Sequence, residues 1–430
     1  MAIIWDGYLQ LAGNEIVNSA RAVAYARAAG LPMECDPCDA VAEAMGDAPY
    51  FSLEDGTAPW YDPGVPASRG FHGVFGMDVA GFSGSTITRS PTALIGDGSA
   101  LGPARRNHRE IAWTVALITE GEAELSYAME WLSTTLLGSQ CEGRTCDGDE
   151  ICVFSACPGT TPLAVGDTSV LGDQEIRHLY DAGILSGPVV TGRQWMGGGR
   201  FLWATVTFTL AAAKPWIYHD PLAANVDWVA LGSGELVSNI DPDQVYQQCL
   251  QPSPCATDPL CPTPPLPPKA PSPLSPCYPT GLASFRRSRI QVSPLDESAW
   301  LETVPVLEVR TGSTAMRRVL VRFWANPQNN PCNSALDPCN ACADINVGYI
   351  PAGSTLRVDG RVQRSVVECP QLPIGIATST PTIYGAEGAN FTWPTFPCPT
   401  GLCIEVWSRS DTTAANATAR VLLVPRADAG

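Results

Sequence analysis

Cys249–Cys277 reads CLQPSPCATDPLCPTPPLPPKAPSPLSPC, with eleven prolines and four cysteines in 29 residues. Proline has no backbone N–H and a fixed φ, so neither a helix nor a central strand can run through this stretch. The flanking sequence is therefore expected to form two bodies, residues 1–248 and 281–430, joined by a Pro/Cys-rich linker at 249–280. In polyproline II, at about 3.1 Å per residue, Pro262 to Pro276 alone spans up to roughly 45 Å. Such spacing suits an assembly component better than a compact enzyme.

Either side of the linker has enough apolar residues to build a core. The chain has 430 residues, of which 45% are hydrophobic, enough for two or three domains of ordinary size. It has no apolar run of about 20 residues, and MAIIWDGYLQ lacks the basic flank of a signal peptide. A soluble protein made in the cytoplasm, without membrane insertion, is expected. Charge is divided unevenly: residues 1–248 carry 30 acids and 12 bases, residues 249–430 carry 13 and 14. An acidic first body argues against ordinary nucleic-acid binding, which needs clustered Lys and Arg. It suits a surface to which DNA must not stick, and it equally serves solubility.

Upstream of the linker, Ile3 to Leu11 with a turn at Gly13-Asn14 reads as a strand pair. Asn18 or Ser19 can cap a helix over Ala20–Ala29 that Gly30 and Pro32 end. Residues 50–102 are rich in Gly, Pro, Ser and Asp, which predicts loops with short strands. Glu110–Thr119 is apolar and β-branched, a buried strand. Glu120–Leu137 is helical, with acids at its positive end and Leu125, Met129, Leu132 and Leu136 on one stripe. Phe201–Ala211 alternates along a long strand, its Leu202, Ala204, Val206, Phe208 and Leu210 face the more apolar. Downstream come short strands at 286–292, 304–310, 317–324, 345–350, 354–358, 363–367, 403–408 and 419–424, the pattern of an antiparallel sandwich. The fold class expected is mainly β with a few helices.

Sixteen cysteines sit uneasily with a reducing cytosol. Their spacings are Cys35-x2-Cys38, Cys141-x4-Cys146-x5-Cys152-x4-Cys157, the linker's Cys249, Cys255, Cys261 and Cys277, Cys332-x6-Cys339-x2-Cys342, a lone Cys369, and Cys398-x4-Cys403. None forms the two close pairs of a four-thiolate zinc site, so all sixteen are disulfide candidates ahead of metal ligands.

Catalytic signals are weak. His72, His108, His178 and His219 belong to no ligand pattern. Gly81-Phe-Ser83-Gly84-Ser85 misses the nucleophile elbow at its last position, and Gly96–Gly102 misses the dinucleotide fingerprint; both read as loops. Asp147-Gly-Asp-Glu150 offers hard oxygens for calcium without the rest of an EF-hand. No two carboxylates stand out as a glycosidase pair. The reading is of a non-enzyme without catalytic residues, metal or cofactor. Among Trp300, Trp324, Tyr349, Trp393 and Trp407, Trp393 beside Pro394 is the best candidate for a glycan contact.

Several segments together resemble the minor tail proteins of siphophages that infect actinobacteria, a group akin to distal tail proteins. They are Trp5–Gly30, Ala58–Val74, Ala128–Leu132 (AMEWL), Cys146–Pro158, Lys214–Tyr218 and Ala352–Gly360. The resemblance implies a distal-tail-like split β-barrel with a flanking helix, then a galectin-like or carbohydrate-binding-like sandwich. It also implies a virion location at the distal end of the tail and a ring of copies, expected to be six, that joins the tail tube to the tip. Partners would be the tube protein, tip or hub proteins and a host cell-wall glycan, with DNA passing unbound. The alternatives are a carbohydrate-binding adhesin and a cell-wall polysaccharide-active enzyme.

Overall fold

The computed structural model describes residues 4–34, 38, 40–84, 87–138, 149–158, 176–219, 227–237, 284–293, 301–326, 328–332, 336, 341–369, 383–385, 390–397 and 401–427. The protein is mainly β, its sheets antiparallel, with three α-helices among those residues. It divides into two units, Met1–Asp220 with Pro425–Gly430, and Pro221–Val424. That boundary falls earlier than residue 248. Val229–Ala230 pairs with Thr418–Ala419, and Glu235–Val237 pairs with Phe285–Arg287, so both short strands belong to the second unit. Neither is long or periodic enough to be read in sequence, and proline content alone draws the edge later. The linker at 249–280 lies outside the described residues.

In the first unit, seven strands follow one another across a single sheet: Asn14–Asn18, Tyr8–Leu11, Asp149–Phe154, Ile176–Met196, Phe201–Ala212, Arg109–Thr119 and Phe71–Ala80. Ile176–Met196 joins the two halves. Its first part pairs with Asp149–Phe154, and from Ala182 onward it pairs with Phe201–Ala212. The two ends of the sheet approach each other: Ser19 Oγ accepts from the Gly76 N–H at 3.0 Å, and a Cβ on Gly76 would stand 1.7 Å from the Asp6 carbonyl oxygen. Only glycine permits that seam. The arrangement is a split barrel.

Helix Ser19–Ala28 starts where expected, because Asn18 Oδ1 accepts from the Arg21 N–H at 3.0 Å. It lays Ala22 and Ala26 against Ile118 and Phe201. Helix Glu122–Leu136 begins at Glu122, since Gly121 is its N-cap, and it buries Leu125, Ala128, Leu132 and Leu136. These side chains join Leu202, Ala204, Val206, Phe208 and Leu210 in one core. Fully burying a leucine is worth roughly 1.5–3 kcal/mol, so this stripe anchors the helix.

The second unit is a sandwich. One sheet runs Glu235–Val237, Phe285–Val292, Leu402–Arg409, Met316–Ala325, Ala343–Ile350 and Ile383–Tyr384; the other contains Thr418–Val424, Glu302–Arg310, Thr355–Asp359 and Arg364–Glu368. Val292, Val321, Phe323, Ile404 and Val406 from the first meet Leu307, Val309, Leu356, Val358 and Val421 from the second. All eight expected strands are present, and no helix occurs in this unit among the described residues.

Between the core residues, strand alternation points charges to the opposite face of the six-stranded sheet. Arg322 and Asp344 are cross-strand partners with Nε to Oδ1 at 3.0 Å, both buried. Glu405 lies across from Arg322 on the other side and accepts from Arg289 Nε at 2.9 Å and Trp407 Nε1 at 3.0 Å. Each buried charge has an opposite neighbour, as burial requires.

Candidate functional site: an exposed hairpin and an aromatic cleft

Strands Phe71–Ala80 and Arg109–Thr119 pair as far as Ala80 and Ala112, and the chain between them leaves the sheet as a hairpin. Ile87 pairs with Arg106, Thr88 with Arg105, and Pro91, Thr92 and Ala93 with Leu101, Ala100 and Ser99. The Leu94 N–H donates to the Gly98 carbonyl at 3.2 Å and closes the turn. The DGSALG stretch thus sits at the tip of an arm, and reading it as a loop missed its pairing.

Its root is firmly built. Gly81 turns with φ +90°, where any Cβ would meet the Glu110 carbonyl oxygen at 2.2 Å. Arg109 is 1% exposed and donates to the carbonyls of Pro215 at 3.1 Å, Gly84 at 2.8 Å, and Phe82. Phe82 is buried in the core, and the Arg106 guanidinium lies over the Trp216 ring at 4.4 Å. Beyond the root every described residue from Ile87 to His108 except Gly102 is exposed. Leu94 is 54%, Leu101 66% and Ile95 fully exposed. Arg89 and Arg105 have no carboxylate in ion-pair reach among the described residues.

A cleft of about 380 Å³ opens at the seam of the barrel, lined by Trp5, Asp6, Ser19, Phe75, Met77 and Trp203. Glycine at 7 and 76 makes the room, since a Cβ on Gly7 would overlap the Trp5 ring. Burial, opposed by a backbone hydrogen bond and reinforced by the charge of Asp78, holds the Asp6 carboxyl above its ordinary value. Neither Asp6 nor Asp78 meets a cation in ion-pair reach among the described residues. The cleft is aromatic-walled and acidic at its rim.

A third exposed feature is the sheet edge. Past Ala182, Ile176–Met196 pairs on one side only among the described residues, and Leu185, Val189 and Trp195 are at least half exposed. Register shifts along it twist the edge, a device that limits indiscriminate pairing.

The histidines lie apart in role. His72 is buried, its Nε2 3.4 Å from Glu120 Oε1 without an aligned hydrogen bond. Burial lowers its pKa, Glu120 opposes this, and Arg200 adds to the lowering. His108 pairs with Glu110 at 2.8 Å and His178 with Glu150 at 2.5 Å. That second pair draws Glu150 onto a strand, and Asp147 lies outside the described residues. No cluster of three or more metal-ligating side chains occurs among the described residues.

Among the described residues two disulfides are present, Cys38–Cys157 and Cys332–Cys403. Cys152 is buried within its strand, and Cys369 Sγ lies 3.4 Å from Ser354 Oγ. Cys342, one of the disulfide candidates, is a free, exposed thiol at the entrance to the Ala343–Ile350 strand. Cys35, Cys141, Cys146, Cys249, Cys255, Cys261, Cys277, Cys339 and Cys398 lie outside the described residues. Trp393 is half-buried, packs on the sandwich core and meets Phe391 edge-on at 4.8 Å. Tyr349 and Tyr384 are the more open aromatics, 50% and 44% exposed.

The geometry is that of a mainly β, two-unit protein whose open features are an exposed hairpin, an aromatic cleft and a sheet edge. No protein-family model matches the chain, and no curated protein matches it. Among solved structures the chain is similar to the SPP1 Dit protein, titled a paradigm of hub adsorption apparatus in Gram-positive-infecting phages. Identity is 13% and the TM-score 0.34, over 83% of this chain and 94% of that one. A likeness that distant carries no weight for function, which has to be read from residues and surfaces.

Proposed function

We propose that this chain is a structural protein of a long, non-contractile phage tail. Copies of it, expected to be six, form a ring at the distal end of the tail tube, join the tube to the tip and let DNA pass. The observation that carries this reading is the first unit's surface: a rooted hairpin with an apolar tip and a long sheet edge, neither covered among the described residues. Patches of this kind mark protein–protein contacts. The segments that resemble siphophage minor tail proteins, Trp5–Gly30 and Ala58–Val74 among them, supply the choice of assembly. The acidic balance of residues 1–248 fits a wall that repels DNA phosphate.

Light scattering and negative-stain microscopy of the purified full chain test the proposal. Rings are expected. A chain that stays monomeric at every concentration, alone and with tube protein, would sink the reading.

The second unit supports an accessory role, either bracing neighbours or gripping a cell-wall glycan. Exposed Tyr384, and Tyr349 on the ring face that Arg317 leaves uncovered, favour a glycan contact over Trp393, because a sugar ring needs an open aromatic face. Loss of cell-wall binding by full-length Tyr349→Ala/Tyr384→Ala, with Trp393→Ala unaffected, is the expected pattern.

A further inference from the structure

We infer that the hairpin Ile87–Arg106 of one copy docks into the seam cleft of the next copy of the same chain. This rests on the ring reading and specifies the contact that builds it.

The hairpin needs a partner. A two-stranded hairpin is marginally stable alone in water, and this one places Leu94, Ile95 and Leu101 in solvent, Ile95 completely. It therefore does not occupy its own cleft. Its fixed root at Gly81, Phe82 and Arg109 holds it out in one direction, unlike a loop left to wander. From Ile87 to Ile95 it reaches about 25 Å at 3.3 Å per residue, enough to cross onto a neighbouring body.

The cleft fits that occupant in shape and charge. Its 380 Å³ between Trp5, Phe75, Met77 and Trp203 exceeds the roughly 150 Å³ that holds a benzene ring, so it can take aliphatic side chains such as Leu94 and Ile95. Residues 84–108 contain Arg89, Arg105 and Arg106 against one acid, Asp97. The cleft offers Asp6, whose carboxyl feels the charge of the nearby Asp78, and neither has a cation in reach among the described residues. Arg89 and Arg105 lack a carboxylate in the same sense. A basic arm is thus drawn toward an acidic cleft by longer-range attraction, while the apolar tip makes the contact.

The two surfaces are different patches of one chain, so their contact is head-to-tail. Repetition of a head-to-tail contact closes into a ring when the rotation permits, whereas a contact between identical patches stops at a dimer. Hairpin and cleft thus account for a ring without a second interface.

The test uses the full chain with a photo-cross-linking residue at position 95, and separately the Leu94→Asp/Ile95→Asp variant. Cross-links are expected between position 95 and peptides containing Trp5–Gly7, Phe75–Asp78 or Trp203 of another copy. Self-association should weaken at least about 30-fold in the double variant, with the thermal midpoint of the monomer unchanged because both positions are exposed. Rings that persist in the double variant, or cross-links confined to other surfaces, would overturn the docking while leaving the ring reading intact. A wild-type chain that never associates would overturn both.

Discussion

Arg21 donates to Glu15 at 2.8 Å, Thr57 at 2.9 Å, Asp47 at 3.1 Å and Tyr25 at 3.2 Å, and it lies over the Tyr50 ring at 4.1 Å. Burial alone would lower its pKa, yet Glu15, Tyr25 and Tyr50 together more than restore it; for Glu15 burial wins and the carboxyl is pushed up despite Arg21. The asymmetry says that Glu15 depends on Arg21. Arg21→Met should therefore cost about 3–5 kcal/mol in urea unfolding, the range for orphaning a buried charge, and Glu15→Gln in the same chain should recover part of it. A loss below about 1 kcal/mol would mean that water reaches Glu15. His72 gives a pH dependence. Its folded pKa lies below the ordinary value near 6.5 of the unfolded chain, so between those two values the unfolded chain holds more protons. Stability is full above about 6.5 and declines as pH falls through that window. Thermal midpoints measured from pH 7 to pH 5 should fall less steeply in His72→Phe than in wild type.

At the scale of elements, the hairpin depends on one guanidinium. Arg109→Met would leave the Phe82, Gly84 and Pro215 carbonyls without their donor, at about 3 kcal/mol for the group. Trypsin should then cut faster at Arg89 and Arg105, and equal rates in variant and wild type would show that the root holds without Arg109. The disulfides are a second case. Cys332–Cys403 closes a separation of 71 residues, and Cys38–Cys157 closes 119; loop entropy sets an upper value of about 4–5 kcal/mol each. Cys332→Ala/Cys403→Ala should lose about 2–4 kcal/mol on chemical unfolding.

Strands with clean alternation, Phe201–Ala212 above all, were legible in the sequence, as were both long helices, because period and caps agree. Phe71–Ala80 and Ile176–Met196 were not. FHGVFGMDVA carries glycine where the barrel seam and helix Ser19–Ala28 crowd the backbone, and in IRHLYDAGILSGPVVTGRQWM the register shifts break the alternation. The candidate site lay in the stretch read as loops with short strands, as it is; the pairing of those strands into one arm was not legible, since a hairpin with no core contact imprints no hydrophobic period. Gly81 followed by an apolar Phe82, with three arginines near the return strand, was the available signal.

For the whole molecule, a head-to-tail contact makes a prediction that a symmetric one does not. A tip variant, Leu94→Asp/Ile95→Asp, keeps its cleft; a cleft variant, Met77→Arg, keeps its hairpin but fills the cleft with a long, hydrated cation that an apolar tip cannot displace. Met77 is 42% exposed, so the substitution should leave the fold intact. Each variant alone should remain monomeric. Mixed in equal amounts, the intact hairpin of one should enter the intact cleft of the other, and growth should stop there, because the remaining hairpin and cleft are both disabled. The product is a one-to-one heterodimer, visible by native mass spectrometry, that weakens as salt screens the Arg–Asp attraction. Were the contact instead between identical patches, either variant would spoil its own patch and mixing would rescue nothing. Heterodimers without rings would therefore establish the direction of the contact, and rings from the mixture would show that a different surface closes the assembly.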